Sequence, residues 1–142
     1  MSYDLCFCVS GDLPAVSREA FQAYFSARPW YRVEGTQALY EDEDTGVYFT
    51  FEHSDPDATP QGDRDLRPAG VSFNVNYHRP HFFGLEAEQE VSALVQKFDL
   101  SVDDGQAQGM GQGRYSRDGF LRGWNSGNGF GYRAYAAQAS KV

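Results

Sequence analysis

The sequence predicts an α+β domain, in which a mostly antiparallel sheet carries two or three helices packed on one face. Aromatic residues are abundant, with 11 Phe and 9 Tyr among 142 residues, and such side chains favour sheets. Short segments of strand-like pattern outnumber those with helical spacing, and Gly, Pro and Asp separate most of them. A chain of this length is expected to form one domain, residues 1–142, with the element order β-α-β-β-β-β-α-β followed by a terminal helix.

The clearest strand spans residues 71–77, where apolar and polar side chains alternate strictly. Residues 3–9 begin with the same alternation and then become continuously apolar, as expected of a strand that enters a core. The other predicted strands are residues 30–34, 37–40, 47–53 and 100–102.

Two segments have helical spacing. Ser17 is placed to cap a helix that carries Phe21 and Phe25 on one face and ends before Pro29. A second helix is predicted over residues 85–98, because its apolar residues recur at helical spacing and acidic residues occupy its first turns. Both helices are expected to pack on the sheet.

The C-terminal part of the chain is rich in glycine. Residues 103–113 are predicted to form a flexible connector, since they include four glycines within nine residues. From Asp118 onward we expect one or two short helices, separated at residues 125–128, because Gly123, Gly127, Gly129 and Gly131 lower the helix propensity.

The net charge of the chain arises in one stretch. Residues 41–65 contain nine acids and one base, Arg64, for a sum of −8, and the remaining 11 acidic and 11 basic residues cancel. A local concentration of one sign steers an oppositely charged partner. The first four acids occupy the turn of a predicted hairpin, Glu52 lies on its second strand, and the last four lie in a Pro-rich loop over residues 54–69.

These acids are the candidate partner-binding residues. Like charges so close repel one another, and a cationic partner would relieve that repulsion. Carboxylates on a projecting loop can also occupy the positions of substrate phosphates in a basic cleft. The candidates are Glu41, Asp42, Glu43, Asp44, Asp55, Asp57, Asp63 and Asp65. The alternative is a solvated surface that keeps the protein soluble.

No catalytic or metal-binding signature of similar weight is present. His78 and His81 form an H-x-x-H pattern, but Pro80 between them predicts a loop. Residues 42–46 superficially resemble a calcium loop, yet the strand-like residues 47–51 that follow do not fit its ligand spacing. There is no G-x-S-x-G elbow and no complete P-loop. We therefore expect a protein that is not an enzyme and holds no cofactor.

Composition also bears on the compartment and partners. The first residues lack the pattern of a secretion signal, and no apolar run reaches the length of a membrane span. Cys6 and Cys8 lie two apart on a predicted strand, where a disulfide between them is geometrically awkward. A pI of 4.7 argues against direct nucleic-acid binding. We expect a cytoplasmic protein with no membrane or nucleic-acid partner.

Four segments together resemble a known class of bacterial protein: SYDL at 2–5, EDTGVYF at 43–49, FFGLEAE at 82–88 and FLRGWN at 120–125. The chain is similar to immunity proteins of polymorphic toxin systems, in particular those of myxobacterial kin discrimination, whose cognate toxins include nucleases. The resemblance implies a cytoplasmic antidote that binds its toxin and has no catalysis of its own. The resemblance does not identify any interface residues, so the acidic residues are candidates only because of their charge.

A different class of function stays open. The aromatic residues of the sheet and the region of Trp124 and Asn125 could line a pocket for a small ligand, which would make the chain a ligand-binding or regulatory domain.

Overall fold

A computed structural model describes residues 1–55 and 66–139, which form seven strands and three helices. The elements are β1 (Ser2–Ser10), α1 (Arg18–Ser26), β2 (Tyr31–Glu34), β3 (Gln37–Glu41), β4 (Tyr48–His53), β5 (Leu66–Asn76), α2 (Phe82–Phe98), β6 (Ser101–Asp104), β7 (Gly111–Gly113) and α3 (Arg117–Ala139). Every predicted strand and both predicted helices are present. The Ser17 cap is confirmed as well, because its hydroxyl accepts a 3.1 Å hydrogen bond from the Ala20 amide.

The strands form one sheet in the order β2-β3-β4-β5-β1-β6-β7, and all neighbouring pairs are antiparallel. Phe51 and Phe73 are paired across β4 and β5 and point to the same face. Phe25 of α1 packs on Phe51, and Phe120 of α3 packs on Phe73, with ring centroids 4.9 and 5.9 Å apart. Buried residues of α2 join the same core. The prediction of an α+β fold is confirmed.

The opposite face of the sheet is polar. The pairing places Glu52, Ser72, Cys6 and Asp103 in one row across β4, β5, β1 and β6. Alternation along each strand separates this row from the buried aromatic residues. Among the described residues, no helix covers this face, because the core to which all three helices contribute lies on the other one.

The glycine-rich connector differs from the prediction. Asp103 and Asp104 belong to β6, and Gly111–Gly113 forms β7, which pairs with β6 and extends the sheet. The Asp104 side chain accepts hydrogen bonds from the main-chain amides of Gln106 and Met110 and so ties down the intervening loop. The hydrogen bonds to this buried carboxylate order the loop, whereas the glycine content predicted a flexible one.

The predicted break at residues 125–128 is wrong, since α3 runs without interruption from Arg117 to Ala139. Asn128 lies inside this helix and is buried, and its amide donates to the carbonyls of Tyr77 and Arg79 at 2.9 and 2.8 Å. Gly127 lies against the Tyr77 ring, where any larger residue would collide. Contacts with the sheet therefore outweigh the low helix propensity of the glycines.

Within the described ranges, none of the helices has both the length and the apolar character that crossing a bilayer requires.

Candidate functional site

The first four candidate acids lie where β3 turns into β4: Glu41 is the last residue of β3, and Asp42, Glu43 and Asp44 follow in the turn. We call residues 41–44 the acidic turn. The Asp42 main chain donates to the Val47 carbonyl at 3.0 Å and accepts from the Gly46 amide at 2.8 Å. The Asp42 carboxylate accepts from the Asp44 amide at 2.9 Å, and Gly46 adopts a φ of 78° that suits glycine. The carboxylates are thus carried on a backbone held by several hydrogen bonds.

The turn is also attached to α2 through Glu86. One oxygen of the Glu86 carboxylate accepts from the Tyr40 hydroxyl at 2.8 Å and from the Thr45 hydroxyl at 3.2 Å. Burial raises the pKa of Glu86, hydrogen bonds from Tyr40 and Thr45 oppose the rise, and the neighbouring Asp42 carboxylate adds to it. Two acidic groups therefore share the junction between the turn and the helix.

The acidic turn projects its charge into solvent. Glu41, Glu43 and Asp44 are exposed, and Asp42 is half-buried. The ion pairs found in the described part of the chain are formed by other carboxylates: Arg28 with Glu90, Arg32 with Glu34, and Arg117 with Glu88. No arginine or lysine within residues 1–55 and 66–139 forms an ion pair with the turn, so its charge is not neutralised by this part of the molecule.

The structure separates Asp55 from the acidic turn. The turn precedes Tyr48, the first residue of β4, whereas Asp55 follows the last residue, His53. A strand rises about 3.3 Å per residue, which puts the two ends about 17 Å apart. Asp55 therefore lies at the opposite end of β4 from the acidic turn, and its part in partner binding stays a prediction. The other candidates, Asp57, Asp63 and Asp65, lie outside the described residues.

Next to the acidic turn lies an apolar surface that the sequence pattern does not indicate. Phe82, Leu85 and Tyr48 are 46, 43 and 40% exposed, and we call them the Phe82 patch. The ring of Phe83 connects two of them, with its centroid 5.5 Å from that of Phe82 and 5.5 Å from that of Tyr48, and Leu85 lies one helical turn from Phe82. Large apolar side chains left exposed together are typical of interaction sites.

The predicted start of the second helix does not reveal the Phe82 patch. The helix begins at Phe82, three residues before the predicted start, so Phe82 and Leu85 lie one turn apart on the same side. The buried side of the helix carries Phe83, Ala87 and Val91. Extending the helical pattern back to residue 82 would have shown two apolar residues outside the core-facing stripe.

Arg79 contacts Tyr48 of the Phe82 patch. Its guanidinium carbon is 5.4 Å from the centroid of the Tyr48 ring, and its Nε donates to the Tyr48 hydroxyl. A second guanidinium nitrogen donates to the His78 carbonyl at 3.0 Å. These contacts hold the Tyr48 ring in one orientation.

The region of Trp124 and Asn125, where the sequence left a ligand pocket open, is occupied by packed side chains. Trp124 is buried, and its ring stacks on Tyr77 at 5.6 Å while its indole N–H donates to the His81 carbonyl at 2.9 Å. A cavity of about 320 Å³ lies elsewhere and is open to solvent. It is lined by Ser2, Tyr3, Asp4, Tyr77, Gly105 and Gln106.

The histidines contact polar groups of the protein. The His81 ring Nε2 lies 2.5 Å from the Asn125 side-chain oxygen, and the buried His53 ring Nε2 lies 2.8 Å from the Val16 carbonyl. In the parts of the chain that the structure describes, no group of three or more His, Cys, Asp and Glu residues is arranged to hold a metal ion.

Comparison with protein-family models, with curated proteins and with solved structures finds no match for this chain.

Proposed function

We propose that this chain is a cytoplasmic immunity protein that binds a toxin with a basic surface, most simply a nuclease, and neutralises it. The observation that carries the proposal is the acidic turn, whose exposed carboxylates are held on an ordered backbone and form no ion pair with the described arginines and lysines. Exposed Tyr and Phe side chains beside it provide anchoring groups.

The chemistry of such a pairing is direct. A nuclease binds the phosphates of its substrate with clustered lysines and arginines. Carboxylates presented on a fixed turn can form charge-assisted hydrogen bonds with the same cationic groups. Because hydrogen bonds already order the backbone of the turn, binding loses little conformational entropy there.

The first test combines the chain with its expected partner, the product of the adjoining reading frame. Cells that express that product alone should stop growing, and co-expression of this chain should restore growth. Purified proteins should form a stoichiometric complex. A harmless product, or one that forms no complex with this chain, would contradict the proposal.

The second test measures the contribution of the charge. The variant Glu41→Gln, Glu43→Gln, Asp44→Asn should associate about tenfold more slowly at low salt, with a weaker dependence on ionic strength. A matched control neutralises three exposed acids outside the turn, Asp12→Asn, Glu19→Gln and Glu52→Gln. Equal association rates for the two triple variants would show that the acidic turn is not part of the interface.

A further inference from the structure

We infer that the Phe82 patch is the apolar centre of the partner-binding surface and the acidic turn its polar rim, so the partner presents an apolar side chain flanked by lysines or arginines. This inference rests on the proposed function and deepens it.

The apolar centre is built on rigid elements. Phe82 and Leu85 lie on the first turn of a 17-residue helix whose other side is buried in the core. Tyr48 is held from two sides, by the Phe83 ring and by the Arg79 guanidinium. Binding energy concentrates in such well-supported aromatic and apolar anchors near the middle of an interface.

Glu86 connects the polar rim to the apolar centre. This residue lies one helical turn beyond Phe82 and accepts a hydrogen bond from Thr45 of the hairpin turn, at 3.2 Å. The acidic turn is therefore fixed beside the apolar centre. The turn and Glu86 together supply five carboxylates, whereas Arg79 supplies one guanidinium. An apolar centre with a charged rim matches the anatomy of protein interfaces.

The charge also selects the kind of partner. A second copy of this chain, placed symmetrically against the Phe82 patch, would bring two acidic turns into one interface, where they would repel each other. Lysines or arginines around an apolar side chain would complement the rim. We therefore expect a partner of this second kind at the Phe82 patch.

The test removes the apolar centre without touching the charge. The variant Phe82→Ser, Leu85→Ser should weaken binding to the catalytically inactivated product of the adjoining reading frame by about 30-fold or more. This loss of affinity should appear as faster dissociation of the complex, whereas the acidic-turn variant should show slower association. Both positions are exposed, so the thermal unfolding midpoint should stay close to that of the unchanged protein.

The matched control replaces two exposed aromatic residues of α3, Phe130→Ser and Tyr132→Ser, which are 56 and 47% exposed. Its affinity should remain within about twofold of the unchanged protein. If the Phe82 and Leu85 variant binds normally while the acidic-turn variant does not, the inference is overturned and the proposed function stands. If the unchanged chain fails to bind, the proposed function falls as well. A homodimer that the Phe82 and Leu85 substitutions dissociate would assign the patch to a second copy and also overturn the inference.

Discussion

The hydroxyl of Tyr3 donates a 2.6 Å hydrogen bond to the carboxylate of Asp104, which is only 4% exposed. The bond joins two residues 101 positions apart, one on β1 and the other at the end of β6. The same carboxylate oxygen accepts from the Met110 amide at 2.9 Å, and the second oxygen accepts from the Gln106 amide at 3.0 Å. One buried acid thus connects the first strand, the sixth strand and the loop that leads to β7.

Removal of the Tyr3 hydroxyl should destabilise the protein. The substitution Tyr3→Phe keeps the ring contacts but deletes one donor to a buried carboxylate, and a hydrogen bond to a charged group contributes about 1.5–3 kcal/mol. Denaturant unfolding would measure that loss. The control Tyr132→Phe alters an exposed hydroxyl and should change stability by less than about 0.5 kcal/mol. Equal effects of the two substitutions would contradict the importance of the Tyr3–Asp104 bond.

Two glycines of α3 should respond in opposite directions to alanine. A Cβ on Gly127 would overlap the buried ring of Tyr77, so Gly127→Ala should destabilise the protein by about 1–3 kcal/mol. A Cβ on Gly129 would meet the far end of the flexible Arg133 side chain at 3.3 Å. Gly129→Ala should therefore stabilise the helix by about 0.4–1 kcal/mol. Thermal or denaturant unfolding of both variants measures the contrast, and a loss of stability in both would refute it.

The raised pKa of Glu86 predicts a stability effect that depends on pH. Because folding raises the pKa of Glu86, protonation of this group stabilises the folded state relative to the unfolded one; that contribution is fully present below the ordinary pKa of a glutamate and is lost as pH rises through the folded pKa. The neutral variant Glu86→Gln can still accept from Tyr40 and Thr45. It should be more stable than the unchanged protein near pH 7, and the advantage should shrink as pH falls toward 4.

Unfolding titrations of Glu86→Gln across this pH range measure the effect. Replacement of the neighbouring acid, Asp42→Asn, removes one of the causes that raise the pKa of Glu86. In that background the pH dependence of the Glu86→Gln difference should become weaker. A difference that is constant from pH 4 to pH 7 would show that Glu86 gains no preference for its protonated form on folding.

The candidate site was predictable only in part. The charge count identified the acidic turn, because a run of carboxylates needs no three-dimensional information to be seen. The relation of Asp55 to that run depends on β4 lying extended between them, which places the two groups at opposite ends of a strand. Tyr48 and Phe82 are 34 positions apart, and no local pattern brings their side chains to one surface.

The sequence alone determined which segments alternate, where α1 is capped and where negative charge accumulates, since each depends on residues close together in the chain. The tertiary structure decided that α3 continues across its glycines. The rings of Tyr3 and Tyr77 occupy the space beside Gly123 and Gly127, respectively. In addition, the Asn128 side chain donates to two main-chain carbonyls in the segment before α2. It also decided that Asp104 is buried and satisfied by Tyr3. These outcomes follow from packing and hydrogen bonds between distant residues, whose free energies exceed the local preferences of the helix and the turn.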